Sequence, residues 1–276
     1  MDPHAAQSAS LSSLVSSLWR NRQLITQMAY REIIGRYQGS IFGLAWSFFH
    51  PMLLLCVYTF VFSVVFKARW GVAGEQSNSE YAIVMFVGLI IHGLFAEVLN
   101  RAPSLVMTNA NYVKKVVFPL EILPLISLLA ALFHSAISMI VLMAAFLIFN
   151  GYVHWTALYL PLVIAPIAIL TVGLAWMLAS LGVFIRDVGQ TIGIVTMVMM
   201  FLAPVVYPIT AVPESVRPWI MANPLTFIIE QGRSVLIWGN APDWLGLLGY
   251  SCVALAVAWL GYFWFQKTRK GFADVL

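Results

Sequence analysis

Phe184-Ile185-Arg186-Asp187-Val188-Gly189-Gln190-Thr191-Ile192-Gly193-Ile194 is the stretch on which the fold turns. The chain is apolar from Ala157 to Ile185 and again from Thr191 to Val206, so only Arg186–Gln190 separates the two runs. About 20 apolar residues cross a bilayer as a helix, and the combined run is far longer than one crossing needs. The break therefore reads as a tight turn between two spans. Working outward gives six apolar stretches: Ile41–Phe66, Tyr81–Val106, Ile122–Phe149, Ala157–Ile185, Thr191–Val206 and Trp244–Phe265. Lys and Arg concentrate in cytoplasmic loops of membrane proteins. Six spans with an internal N-terminus leave only Lys67, Arg69, Arg217 and Arg233 outside, of 15 Lys and Arg in all. Five spans would move Lys267, Arg269 and Lys270 outside and weaken that bias, so the expectation is six, with both termini in the cytoplasm.

Composition agrees. Of 276 residues 61% are hydrophobic and 9% charged, and the mean hydropathy is +0.89. Soluble domains are about a quarter charged. The fold class expected is all-α and polytopic, with residues 1–40 as tail and interfacial helix and 41–276 as the membrane domain. The net charge of +4 is dispersed over short loops, which argues against a nucleic-acid partner. Cys56 and Cys252 sit inside apolar runs and read as buried free thiols. Met1–Ser17 lacks basic residues and a long apolar core, unlike a signal peptide.

Ahead of the first stretch, Leu11, Leu14, Leu18, Ile25 and Met28 recur at helical spacing with Arg20, Arg22, Gln23, Gln27 and Arg31 between them. That pattern predicts an amphipathic helix lying in the headgroup layer, apolar stripe toward the lipid. Gly35, Gly39 and Gly43 follow at intervals of four, a spacing that suits close helix packing or a hinge. Pro51 interrupts the first span and permits a bend. Between spans five and six, Tyr207–Asn240 is external by parity yet rich in apolar pieces, and Pro208, Pro213, Pro218 and Pro224 forbid one continuous helix. Short re-entrant helices are expected there.

No phosphate-binding G-x-x-x-x-G-K-[ST], no G-x-S-x-G and no H-E-x-x-H occurs, and the five histidines show no ligand spacing. A catalytic site and a metal site are therefore not expected. Mid-membrane ionisable groups, which coupled carriers need, are few: Glu97 reads as an i,i+4 pair with Arg101, and His134 stands alone near mid-span. The loop Asn109-Ala110-Asn111-Tyr112-Val113-Lys114-Lys115-Val116-Val117-Phe118-Pro119-Leu120-Glu121 sets two lysines among exposed aromatic and apolar residues. It reads either as a docking loop or as a segment dipping into the headgroups. Aromatics make up 14% of the chain, and Trp46, Phe48, Phe49, Tyr58 and Phe60 crowd span one. Interface belts account for most of them, but flat rings also suit the CH faces of sugars.

The run Tyr30-Arg31-Glu32-Ile33-Ile34-Gly35-Arg36-Tyr37-Gln38-Gly39-Ser40-Ile41-Phe42-Gly43-Leu44-Ala45-Trp46, followed by Pro51, resembles the opening motif of ABC-2 type permeases, in particular polysaccharide exporters. The Tyr112–Pro124 loop, Phe184-Ile185-Arg186-Asp187-Val188, and Asn223-Pro224-Leu225-Thr226 with Glu230 and Arg233 are similar to further hallmarks of that family, in the same order. Glu32, Gly39 and Phe42 depart from its commoner residues.

The resemblance implies a permease subunit of an ATP-driven exporter for undecaprenyl-diphosphate-linked O-antigen polysaccharide in a bacterial inner membrane. Capsular polysaccharide or teichoic acid export and, more remotely, a membrane enzyme acting on polyprenyl-linked glycans are the alternatives. Its implied partners are a second copy of the chain, two P-loop ATPase subunits that bind the ATP and Mg, the glycolipid and membrane lipid; no cofactor is expected in this chain. The resemblance makes Trp46, Phe49, Tyr58, Phe201 and Tyr207 candidates for the substrate channel. Arg31, Arg36 and Tyr37 are candidates for the diphosphate's mouth, with simple positive-inside anchoring the other reading. Tyr112, Lys114, Lys115 and Phe118 are candidates for ATPase coupling, and Pro204, Pro208, Asn223, Pro224, Glu230 and Arg233 for an external gate.

Overall fold

The structure is a computed structural model describing residues 10–66, 70, 78–115 and 118–276; for residues 11–12, 78–80 and 113–115 it describes the backbone alone. All regular elements among the described residues are helical. Helix α1 (Leu11–Arg20) is capped by Ser10, whose hydroxyl accepts from the Ser13 N–H. It breaks at Asn21, whose side chain donates back to the Ser17 carbonyl at 2.8 Å, and α2 (Arg22–Gly35) continues from there. Leu14, Ile25 and Ala29 are buried, with Leu18 and Met28 packed beside them. The apolar stripe thus lies on the chain's own helices rather than on lipid, correcting the first expectation. Periodicity shows that a stripe exists, but not what covers it.

Between α2 and the first span, Gly39 (φ 84°) and Gly43 (φ 50°) both take the left-handed region that side chains disfavour. Among the described residues, nothing beyond the immediate neighbours lies within 4 Å of where a Cβ would stand on Gly35, Gly39 or Gly43. Within this chain the glycines pack against no other helix, and their left-handed turns suit a hinge. A short 3-10 turn, Gly43–Ala45, leads into α3 (Trp46–Tyr58), which contains Pro51 and runs on as a π-helical stretch, Thr59–Val65. Pro51 has no N–H to give its turn, and the Thr59 hydroxyl donates to the Leu55 carbonyl at 2.7 Å in the widened turn after it.

Next come α4 (Asn78–Arg101), α5 (Leu105–Thr108) and α6 (Ala110–Lys115). Helix α7 (Leu123–Asn150) ends on Gly151 at φ 78°, whose N–H closes the last turn onto Leu147. Helix α8 (Leu160–Phe184) ends where Ile185 turns extended, and α9 (Val188–Phe201) begins directly after Arg186 and Asp187. The predicted turn is there. Then follow α10 (Arg217–Ala222), α11 (Pro224–Leu236), α12 (Trp244–Thr268) and α13 (Phe272–Val275).

Among the described residues, five segments are long and apolar enough to cross a membrane: Gly43–Val65, Tyr81–Thr108, Leu120–Asn150, Trp155–Phe184 and Trp244–Val275. Helix α9, with 14 residues, is shorter. At 1.5 Å per residue it reaches about 21 Å, against roughly 30 Å of hydrocarbon. Helix α4 is the axis of the bundle, with its most apolar window 72% buried against 17% for the first span. Helices α8 and α12 cross so closely that a Cβ on Gly261 would stand 2.0 Å from the Gly173 carbonyl oxygen. This is small-residue packing of the kind that membrane helices use where lipid supplies no hydrophobic drive.

Candidate functional site

Two cavities meet at Arg36. One, of about 520 Å³, opens between α3, α4 and α7, with Trp46, Tyr58, Glu97, His134, Ser135 and Ser138 on its walls. The other, of about 580 Å³, is lined by Arg31, Glu32, Arg101, Asn109 and Tyr112. Arg36 belongs to both linings and Tyr37 to the first. Helix α2 runs beside α7, so that Arg36, the residue directly after α2, meets His134, while Ser17 of α1 meets Glu121 just ahead of α7.

The charges at this junction are paired. Arg36 Nη1 lies 2.8 Å from Glu97 Oε1 and 2.7 Å from His134 Nδ1, and Glu97 Oε1 is 3.3 Å from the same ring nitrogen. Arg101 reaches instead to Glu32 of α2. The expected Glu97–Arg101 pair is overturned: each residue takes a partner from α2 or the turn after it. An exposed i,i+4 pair contributes only about 0.3–0.5 kcal/mol, which a less hydrated tertiary pair readily exceeds. Burial pushes the Glu32 carboxyl above its ordinary range against the opposing pull of Arg101. Burial also raises the Tyr37 phenol, whose ring stands edge-on to His134 at 6.0 Å. Arg31 is exposed and makes no ion pair among the described residues.

Of the aromatic candidates, Trp46 and Tyr58 line the cavity between α3, α4 and α7. Phe49 packs on Phe42 and Trp46 but faces outward and is absent from that wall. Phe201 is exposed on α9, and its carbonyl accepts the Tyr207 hydroxyl at 2.8 Å. These two form a separate group, apart from the cavity.

In the Tyr112–Pro124 loop, Tyr112 stacks on Phe118 with ring centres 4.5 Å apart. Phe118 is buried, not exposed as its position in a loop implied, and the Tyr112 ring covers one of its faces. The side chains of Lys114 and Lys115 lie outside the described residues. Sequence reasoning missed what anchors this loop. Glu121, 1% exposed, accepts from Ser17 Oγ at 2.8 Å and from Arg269 Nη1 at 2.9 Å. Arg269 Nη2 donates to the Phe118 carbonyl at 2.8 Å, and the Trp176 indole donates to the Glu121 carbonyl at 2.8 Å.

At the opposite end of the bundle, Arg233 is fully buried. Its guanidinium donates to the Val84 carbonyl at 3.0 Å, to the Val205 carbonyl at 2.9 Å and to Glu230 at 2.7 Å, and covers the Trp70 ring at 4.2 Å. A buried guanidinium is tolerable only when its donors are answered in this way. Asn223 caps α11 through the Leu225 N–H and donates to the Met199 carbonyl. Pro224 accepts the Tyr250 hydroxyl at 2.9 Å. Pro204 is buried beside Val205, and Pro208 is half-buried. The gate candidates therefore converge on one clamp joining α4, α11 and the segment after α9.

The sequence model of the ABC-2 type transporter family matches residues 23–237, from α2 through α11. The chain belongs to that family. As an ABC-2 type transporter it is similar to the O-antigen export system permease protein RfbA of Myxococcus xanthus, 26% identical over 95% of this chain and 98% of the relative. It is 24% identical to the protein of the same name from Klebsiella pneumoniae, over 92% and 95% of the two chains. It is 25% identical to the capsule polysaccharide export inner-membrane protein CtrC of Neisseria meningitidis serogroup B, over 80% and 82%. The family match spans both the Arg36 junction and the Arg233 clamp.

Proposed function

We propose that this chain is the permease subunit of an ATP-driven exporter that moves undecaprenyl-diphosphate-linked O-antigen polysaccharide across the bacterial inner membrane. The observation that carries the reading is the junction at Arg36. It joins a cavity with cationic and polar walls to one walled by Trp46 and Tyr58, a sequence of surfaces suited first to a diphosphate and then to sugar rings. The similarity to permeases named for O-antigen export supports the substrate class.

In this reading α9 and the turn after it form the fifth of six spans, α10 and α11 are re-entrant on the external side, and both termini are cytoplasmic. Two copies assemble with two P-loop ATPase chains, which dock at the Tyr112–Phe118 loop with Lys114 and Lys115. Arg31, Arg36 and Tyr37 receive the diphosphate, while Trp46, Phe49, Tyr58, Phe201 and Tyr207 face the glycan path. The clamp of Pro204, Pro208, Asn223, Pro224, Glu230 and Arg233 closes the far side. Co-expression with a P-loop ATPase chain from the same organism tests the reading. The expected result is a complex with two copies of each chain, whose ATP hydrolysis rises with a polyprenyl-diphosphate glycan. A permease that purifies alone, or whose activity on the glycan needs no ATP, would overturn it.

A further inference from the structure

The diphosphate reading rests on the positive charge of Arg36, yet in the structure that charge is already answered. Arg36 is bound by Glu97, and Arg101 by Glu32, so each of these pairs is neutral, and of the lining arginines Arg31 alone makes no ion pair among the described residues. A dianion approaching it gains little until one carboxylate leaves.

Glu97 is the one placed to leave. The side chains of Arg36 and Glu97 are 48% and 25% exposed, so the pair lies open on the cavity wall. Arg36 Nη1 serves two acceptors at once, Glu97 Oε1 at 2.8 Å and His134 Nδ1 at 2.7 Å. A guanidinium only donates, so Nδ1 accepts and the imidazole proton resides on Nε2. That Nε2 is buried with no partner among the described residues. A guanidinium shared between two acceptors on an open cavity wall is half of an anion site, the other half being filled by the protein's own carboxylate.

We propose that Glu97 is an internal stand-in for the ligand's phosphate oxygen. It holds the Arg36 guanidinium while the site is empty and yields it when the diphosphate arrives. The inference deepens the diphosphate reading and rests on it. Its consequence runs against intuition for an acidic residue lining a binding cavity. Removing the charge of Glu97 strengthens binding, because the Arg36 guanidinium then stands uncompensated on the cavity wall.

The test measures binding to the full-length permease in nanodiscs of phosphatidylcholine, which supplies no anionic headgroup to compete. Farnesyl diphosphate and inorganic pyrophosphate are the probes, and a lipid headgroup as the ligand predicts tighter binding of farnesyl diphosphate. Glu97→Gln should bind both about ten-fold more tightly than wild type, and Arg36→Gln about ten-fold more weakly, each step corresponding to a charge-assisted contact made or lost. Glu97→Asp withdraws the carboxylate by one methylene and should tighten binding several-fold, a second reading should the Gln variant not fold. Unchanged or weaker binding in the Glu97 variants, with Arg36→Gln still weakened, overturns the stand-in and leaves the diphosphate reading intact. Unchanged binding in Arg36→Gln overturns both.

Discussion

The carboxylate of Glu121 lies 2.9 Å from the guanidinium of Arg269, a contact that joins residues 148 positions apart. With the Ser17 hydroxyl on its other oxygen, Glu121 ties α1, the Phe118 loop and the end of α12 to one buried point. Breaking a buried pair from one side costs about 3–5 kcal/mol, because the remaining charge is left unanswered. Arg269→Ala should therefore lower the thermal unfolding midpoint in detergent markedly and expose α1 to trypsin at Arg20 and Arg22. Adding Glu121→Gln to that variant should restore much of the loss, since no charge is then buried. A double variant as unstable as the single one would show that the pair does not govern this end of the bundle.

The α8–α12 crossing makes a sharper prediction about packing. Gly261→Ala places a methyl 2.0 Å from a backbone oxygen that cannot step aside, whereas Gly249 on the same helix has nothing within 4 Å. Thermal scans should show Gly261→Ala destabilised by several kcal/mol, in the range that overpacking a close contact reaches. Gly249→Ala should be neutral or slightly stabilising, as helix propensity dictates. Equal behaviour of the two would contradict the crossing geometry.

Arg233→Lys keeps the charge and loses the fork. A lysine ammonium cannot reach the Val84 and Val205 carbonyls and Glu230 together while covering Trp70. With two buried carbonyls unanswered at about 1–3 kcal/mol each, the segment from Val205 to α11 should become accessible to proteolysis before the rest of the chain unfolds. Limited proteolysis followed by mass spectrometry reads this directly, and protection equal to wild type would show that the clamp does not hold the segment.

The spans were legible because lipid imposes a length and a polarity on each of them, so Ile41–Phe66 and Ile122–Phe149 fall within a few residues of Gly43–Val65 and Leu120–Asn150. The turn at Arg186–Asp187 was legible because two charges cannot sit mid-membrane without partners. What failed was partner choice. Glu97 and Arg101 are one turn apart, and only the path of α2 reveals that each binds elsewhere. Glu121 looked like part of a loop, since Ser17 and Arg269 stand 104 and 148 residues away. Phe49 lies one turn from Trp46 and packs on it, yet only Trp46 lines the cavity. Side-chain direction within a crowded aromatic run is set by tertiary packing, which spacing does not encode.

The most direct measurement is translocation itself. Inverted vesicles containing the permease and its ATPase are loaded with radiolabelled undecaprenyl-diphosphate glycan on the outer, cytoplasm-equivalent face, and the label protected from an added glycosidase is counted with and without ATP. The account predicts protection that requires ATP, falls about ten-fold or more in Arg36→Gln and slows in Trp46→Ala. Protection that proceeds equally without ATP, or that Arg36→Gln leaves unchanged, would contradict it.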